Sequence, residues 1–350
     1  MTVTPYSLMS AVMWSSVFIV LLYFFRKNTS LLAVLGATPL LLLGLGTGLR
    51  CLFPLMVPNY TRLVHLKGVF AALYRQTEKS LAPFPGTVGG LLCLLWVISI
   101  LFLLAKETAR YLRFRSKLQS YESLPDETIT QLALQAAQKL GTPIPRLVQT
   151  VRVMSPMIVG FRHPTILLPN FPYTQEEYRL ILIHELVHWK NRDLWVKFFV
   201  EIYCICFWWN PLVYFMRRDL SRTLELKCDA EVLKDKTPQE AKAYREALVK
   251  TLVFSQGKVG IECPLPSVGL ISPIKRDLLQ RVDLILRKRQ KGFLQKAALW
   301  CASMLMVLLL AWSYSIVLAP DYHPPMKNFQ VISGDSAEEE IPNFEDPTQE

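Results

Sequence analysis

Charged and uncharged positions alternate along this chain in long blocks. Residues 1–25, 31–49, 80–105 and 297–320 contain no charged side chain, and apolar character after the second block continues past Arg50 to about 57. A helix needs about 20 apolar residues to cross the hydrocarbon core of a bilayer. The blocks therefore predict four transmembrane helices, near 7–25, 31–57, 87–105 and 297–320. Pro39 and the glycines of the second are tolerated in a lipid-embedded helix. Ile202–Met216 is also uncharged, but it is short and interrupted by Asn210-Pro211, so it predicts a buried or interfacial helix. Between 118 and 296 the pattern becomes that of a folded domain. Pro125-Asp126-Glu127-Thr128 opens a helix that runs to about 140 and stops at Gly141. Val148–Val153 alternates as a strand. Thr165, Ile166, Leu167 and Leu168, bounded by Pro164 and Pro169, predict a short strand at a sheet edge, because proline cannot donate to a ladder.

One apolar helix in that domain carries chemistry. Leu180–Trp189 contains His184-Glu185-Leu186-Val187-His188, preceded by Thr174-Gln175-Glu176-Glu177, which reads as a capping box. Histidines four residues apart project from one face of a helix and can hold one Zn²⁺, with Glu185 beside them to take a proton from water. A structural histidine pair is the competing assignment, at the cost of burying two imidazoles without partners. A third ligand is expected one helix hairpin downstream. Asp193 is read as the N-cap of the next helix, and Asn210-Pro211 as the start of the one after, which carries Glu225 and Asp229 on one face. Glu225 is the expected third ligand, and Asp229 the residue that orients a ligand histidine. Cys228 is ranked as core, although its position does not exclude it as a ligand. Arg222 and Tyr178 are candidate oxyanion donors, against ordinary core or surface roles. An exposed strand beside such a helix, here Thr165–Leu168, holds an extended peptide by strand addition.

Composition and charge orient this arrangement. The chain has 350 residues, 51% of them hydrophobic, with a net charge of +11. Its cations cluster at 26–27, 106–117 and 275–296, next to the uncharged blocks, so the charge speaks for membrane topology and not for direct nucleic-acid binding. By the positive-inside rule, the N-terminus and the loop 58–86 lie outside and residues 118–296 are cytoplasmic. The acidic tail 321–350 then lies outside and has the composition of a disordered segment. The loop's own cations oppose this assignment but are outnumbered. The basic runs would also attract anionic membrane lipid. Seven scattered cysteines give no disulfide framework.

The segments His184–Asp193, Trp209-Asn210-Pro211-Leu212-Val213 and Glu225-Leu226-Lys227-Cys228-Asp229-Ala230 resemble the BlaR/MecR family of membrane metallopeptidases. Ser155–Gly160 and Pro164–Pro169 resemble that family's strand segment before the zinc helix. The resemblance implies an α-helical multi-pass membrane protein with an α+β, gluzincin-like zincin domain in the cytoplasm, one zinc ion per chain, and a homodimer. It also implies regulated proteolysis in β-lactam resistance signalling, with a winged-helix repressor, the protein itself, or both as substrate. The family's external sensor carries a serine in an S-x-x-K motif. Here Ser272-Pro273-Ile274-Lys275 falls on the cytoplasmic side without companion motifs and is read as chance. Only about 30 residues follow the last predicted span, so a sensor domain is expected to be missing. A housekeeping membrane protease resembling the heat-shock or prenyl-protein zincins, and a non-enzymatic membrane scaffold, are the alternatives.

Overall fold

A computed structural model describes residues 2–3, 5–27, 38–56, 60–66, 68–81, 86–119, 126–234, 236–255, 267–269, 281 and 293–320. The described helices are α1 (Pro5–Lys27), α2 (Thr38–Leu52), α3 (Val69–Thr77), α4 (Val88–Gln119), α5 (Glu127–Leu140), α6 (Gln175–Lys190), α7 (Asp193–Cys206), α8 (Pro211–Val232), α9 (Pro238–Ser255) and α10 (Phe293–Trp312). The strands are β1 (Thr2–Val3), β2 (Leu55–Met56), β3 (Arg62–Leu66), β4 (Arg146–Thr150), β5 (Met157–Val159), β6 (Thr165–Pro169), β7 (Ser267–Gly269) and β8 (Ile316–Pro320).

Among the described residues two helices, α1 and α4, are long and apolar enough to cross a membrane; α2 and α10 are apolar but shorter. The predicted second span, 31–57, is narrower in the structure. Its described helix ends at Leu52, and β2 follows, paired antiparallel with β1. The residue before a proline is pushed out of the helical region, which accounts for a stop ahead of Pro54. The predicted fourth span, 297–320, stops as a helix at Trp312 and continues as β8. Its partner is β3, in parallel, inside the stretch 58–86 read as a plain loop. The last predicted boundary, at 321, opens a tail outside the described residues.

The domain after α4 is built on a four-stranded mixed sheet ordered β4-β6-β5-β7. Alternation along β6 sends Ile166 and Leu168 into the core shared with α5, α6 and α9, and Leu167 to the opposite face, where Phe114 and Leu118 of α4 cover it. Helix α5 begins with the Asp126 side chain accepting from the Thr128 N–H and ends at Gly141 with φ 65°, as predicted. The strand predicted over 148–153 is displaced to Arg146–Thr150, and the chain turns at Val151.

The expected edge strand is corrected. Thr165, Ile166 and Leu167 are paired on both sides, with β4 in parallel and β5 antiparallel; Leu168 pairs with Gln149 of β4. Prolines at both ends, not an open edge, explain the Pro-bounded pattern: they delimit an interior strand without interrupting its ladder. A strand with both neighbours in place offers no donors or acceptors to a peptide.

A second core joins α1, α2, α7 and α8. Within it Arg26, at the end of α1, meets Asp219 of α8 at 2.6 Å with both side chains buried. The helix that carries Glu225 is thereby tied to the first apolar helix.

Candidate metal centre

The capping box at the start of α6 is present. The Thr174 hydroxyl accepts from the Glu177 N–H at 3.3 Å, and the Glu177 carboxylate accepts from the Thr174 N–H at 2.9 Å. From Leu180 to His188 every residue is buried, so the helix threads the core and does not lie on it. His184 and His188 sit one turn apart with no exposure, and their Nε2 atoms approach to 3.1 Å.

The far side of each imidazole is fixed. His188 Nδ1 lies 2.7 Å from Asp193 Oδ2. His184 Nδ1 lies 2.6 Å from the Tyr244 oxygen, and the Tyr244 hydroxyl donates to Asp229 Oδ1 at 2.6 Å. The tyrosine proton points to Asp229, so His184 Nδ1–H is the donor to Tyr244, and the Nε2 lone pair is left facing inward. In its neutral form each imidazole thus carries its proton on Nδ1 and turns Nε2 toward the same point, as a metal ligand needs.

Glu225, on α8, faces the same point. Its carboxylate oxygens lie 3.5 Å from His184 Nε2 and 3.6 Å from His188 Nε2. Zn–N and Zn–O bonds of about 2.0–2.1 Å at tetrahedral angles place ligand atoms about 3.3 Å apart. The 3.1 Å between the two nitrogens, and the 3.5 and 3.6 Å from them to Glu225 Oε2 and Oε1 respectively, are of that size, so the donor set fits one zinc ion with a fourth position open. Cys228 is the other metal-capable neighbour, grouped with the two histidines. Its Sγ lies 3.3 Å from His184 Nδ1, the nitrogen already engaged by Tyr244, and donates to the His184 carbonyl at 3.4 Å.

Burial governs the electrostatics. It pushes His184 down and holds the Cys228 thiol up, at about 12. Burial opposes a charge on His188 too, but Cys228, Glu225 and Asp193 outweigh it and raise the imidazole well above its ordinary value. Glu225 would also be raised by burial, yet His188, His184 and Arg281 hold it well below the usual carboxylate range. For Glu185 burial outweighs the pull of His188, Lys197 and Arg281. Neither carboxylate oxygen has a hydrogen-bond partner among the described residues, and burial pushes its pKa up to about 8.

Several members of the site carry no local sequence signal for their role. Asp193, taken for an N-cap, is the first residue of α7 and the partner of His188; the N-cap is Arg192, in a left-handed conformation at φ 57°. Tyr244 lies in an ordinary amphipathic helix, and nothing local marks it. Arg281 belongs to the run 275–296 read as a basic membrane-flanking cluster. Instead it is buried, donating from Nε and Nη2 to the two Asp229 oxygens at 2.7 Å each, with Nη1 3.3 Å from Glu225. Asp229 reaches His184 through Tyr244, with its own oxygen 3.6 Å from Nδ1. The candidate oxyanion donors are engaged elsewhere: Tyr178 donates to the Phe171 carbonyl, and Arg222 lies 3.7 Å from Asp219.

The chain is similar to known proteins over part of its length. The regulatory protein BlaR1 of Bacillus licheniformis is 31% identical over 106 residues, 30% of this chain and 18% of that protein. The methicillin resistance mecR1 protein of Staphylococcus aureus is 27% identical over 124 residues, 35% of this chain and 21% of that protein. BlaR1 of Staphylococcus aureus is 24% identical over 164 residues, 45% of this chain and 28% of that protein. The aligned stretches therefore span less than a third of the length of these relatives. The sequence profile described as BlaR1 peptidase M56 matches residues 64–283, which include all of the site described above. By that match, over more than half of its length, the chain belongs to the BlaR1 peptidase M56 family of metallopeptidases.

Proposed function

We propose that the protein is an integral-membrane zinc endopeptidase of regulated proteolysis. His184, His188 and Glu225 hold the metal, and Glu185 is the general base. The observation that carries this reading is the inward-facing Nε2, Nε2, carboxylate triangle beside a buried, unpartnered Glu185 carboxylate. Zinc bound there supplies Lewis acidity toward a peptide carbonyl and lowers the pKa of water. Glu185 takes the proton of the attacking water and returns it to the leaving amine; its raised pKa suits a group that must hold a proton between the two steps. Asp193 holds His188 directly and Asp229 holds His184 through Tyr244, both in the ligating tautomer. Arg281 supplies the cation beside Asp229 and Glu225 in a buried site.

In this reading α1, α2, α4 and α10 are the four spans, with the N-terminus, the stretch 58–86 and the tail 321–350 outside and the α+β zincin domain of residues 118–296 in the cytoplasm. The length and apolarity of α1 and α4 support it, and so does the exposed face of Leu92, Leu95, Ile98 and Phe102 along α4. The relatives' names point to signalling in antibiotic resistance, and the substrate proposed by that analogy is a cytoplasmic repressor. Self-cleavage has an observation of its own: β7, from residues 267–269 of the same chain, lies antiparallel on β5, the register an extended substrate would take.

The test is cleavage in proteoliposomes, followed on the chain itself and on a co-expressed repressor of a BlaR1-type system, wild type beside Glu185→Gln. Cleavage by wild type with loss of at least a thousandfold in the variant supports the assignment; equal cleavage by both refutes it.

A further inference from the structure

A cleft of about 730 Å³ opens beside the metal centre, between the β5–β6 turn and the junction of α6 with α7. Four basic side chains line it: Arg162 and His163 from the turn, Lys190 and Arg192 from the junction. No carboxylate does among the described residues, and none of the four has a hydrogen-bond or ion-pair partner for its side chain there. The remaining wall is aromatic. Phe161 packs on Trp195 at 4.5 Å between ring centroids, and Trp195 is 51% exposed. The cations of Arg162, Lys190 and Arg192, gathered around one cavity without a counter-charge, repel one another, and an anion entering it removes that cost.

The height of the cleft along α4 narrows what the anion is. Trp96 of α4 donates to the Cys206 carbonyl of α7 at 2.7 Å, and Glu201, earlier in α7, stands within electrostatic reach of Glu107 and Arg110, later in α4, so the two helices run in opposite directions. From Trp96 to Ala105, the last residue of the uncharged block, is about 14 Å of helix; from Cys206 back to Trp195 is about 16 Å. Trp195, about a turn and a half beyond Glu201, therefore lies at or just to the polar side of the level where α4 passes from apolar residues to Lys106 and Arg110. Phe114 and Leu118 of α4 pack on Val159 and Leu167, which sets the sheet just to the polar side of that level. A basic pocket with an aromatic rim at the edge of the hydrocarbon layer has the chemistry of a phospholipid site: cations for the phosphate, rings for the glycerol and the first methylenes.

We propose that this cleft binds the phosphate headgroup of an anionic phospholipid, holding the α6–α7 junction, and with it His188 and Asp193, against the membrane. The proposal rests on the membrane reading of α1 and α4. It is tested on the full chain in detergent by native mass spectrometry, with phosphatidylglycerol or phosphatidylcholine titrated in. Wild type is compared with the triple variant Arg162→Gln, Lys190→Gln, Arg192→Asn; asparagine keeps the left-handed backbone at 192. A second variant, Lys139→Gln, Lys234→Gln, Lys242→Gln, removes as much charge from exposed sites elsewhere. The expected result is preferential retention of phosphatidylglycerol by wild type and the second variant, with affinity lower in the first by on the order of a hundredfold. Equal retention by all three overturns the proposal. Displacement of the lipid by inorganic phosphate at matched concentration would assign the site to a free phosphate, and displacement by a polyglutamate peptide to an acidic protein segment; either overturns the lipid assignment. Failure of the chain to insert into phosphatidylcholine vesicles is a separate result, which removes the membrane reading and the proposal with it.

Discussion

Replacing Arg281 with Met should be among the most damaging single changes outside the metal ligands. The guanidinium is 3% exposed and holds Asp229 through two 2.7 Å hydrogen bonds, with a third nitrogen 3.3 Å from Glu225. Methionine fills much of the same volume without charge. The variant then buries the Asp229 carboxylate, 4% exposed, without its cation, and leaves Glu225, 6% exposed, with Lys197 at 3.9 Å, beside Glu185, which already has no hydrogen-bond partner among the described residues. Removing one partner from a buried ion pair costs about 3–5 kcal/mol. In a chain of this size that corresponds to a fall in unfolding temperature on the order of 10 °C. Lys242→Met, at a side chain 71% exposed, is the control and should shift it by no more than about 2 °C. The assay is thermal unfolding of the purified protein in detergent, metal-free, at pH 7. Adding Asp229→Asn to the Arg281→Met background should recover part of the loss, because the amide oxygen still accepts from Tyr244 and the uncompensated charge is gone. If Arg281→Met unfolds with the control, or if the second substitution makes matters worse, Arg281 is not the counter-ion of this site.

Glu185 makes the metal-free protein sensitive to pH. Its pKa stands at about 8 when folded, against 4.5 as an ordinary carboxyl, so between these values the folded state binds more protons than the unfolded one. Stability contributed by this group therefore falls as pH rises through that window, by up to about 5 kcal/mol. Glu185→Gln should flatten the decline in unfolding temperature between pH 5 and 8, and an unchanged slope would contradict the burial argument. Gly160 is held at φ 98°, and a Cβ there would stand 2.3 Å from the His163 carbonyl oxygen, so Gly160→Ala should strain the β5–β6 turn and lower stability by about 2 kcal/mol or more, read by denaturant unfolding. Zinc binding should release protons, since His188 is held protonated in the metal-free site; affinity measured by competition with a chelator should therefore weaken steadily from pH 8 to pH 6.

Local signals in the chain were legible and distant ones were not. The capping box at Thr174, the Asn210-Pro211 start of α8 and the Gly141 stop of α5 follow from side-chain chemistry within four residues, and all three are in place. The pairing of His184 and His188 needs only helical spacing. Thr165–Leu168 was legible as a strand but not as an interior one, because the strands that flank it come from 146–150 and 157–159, and register between strands leaves no local mark. Tyr244 and Arg281 are separated by 60 and 97 positions from His184, and only the packing of α9 and the later chain brings them in. Arg281 was further disguised by its neighbours in a basic run, where one buried cation looks like the exposed ones. Asp193 was visible but assigned to a cap, since Asp before an apolar helix serves either purpose.

The most direct test of the metal centre is zinc analysis of the purified wild-type chain combined with X-ray absorption at the zinc edge, repeated for Glu225→Ala and Cys228→Ala. The account predicts about one zinc per chain, a first shell of nitrogen and oxygen at about 2.0–2.1 Å, loss of the metal in Glu225→Ala, and an unchanged shell in Cys228→Ala. A sulfur scatterer at about 2.3 Å that disappears in Cys228→Ala while Glu225→Ala keeps its zinc would contradict it.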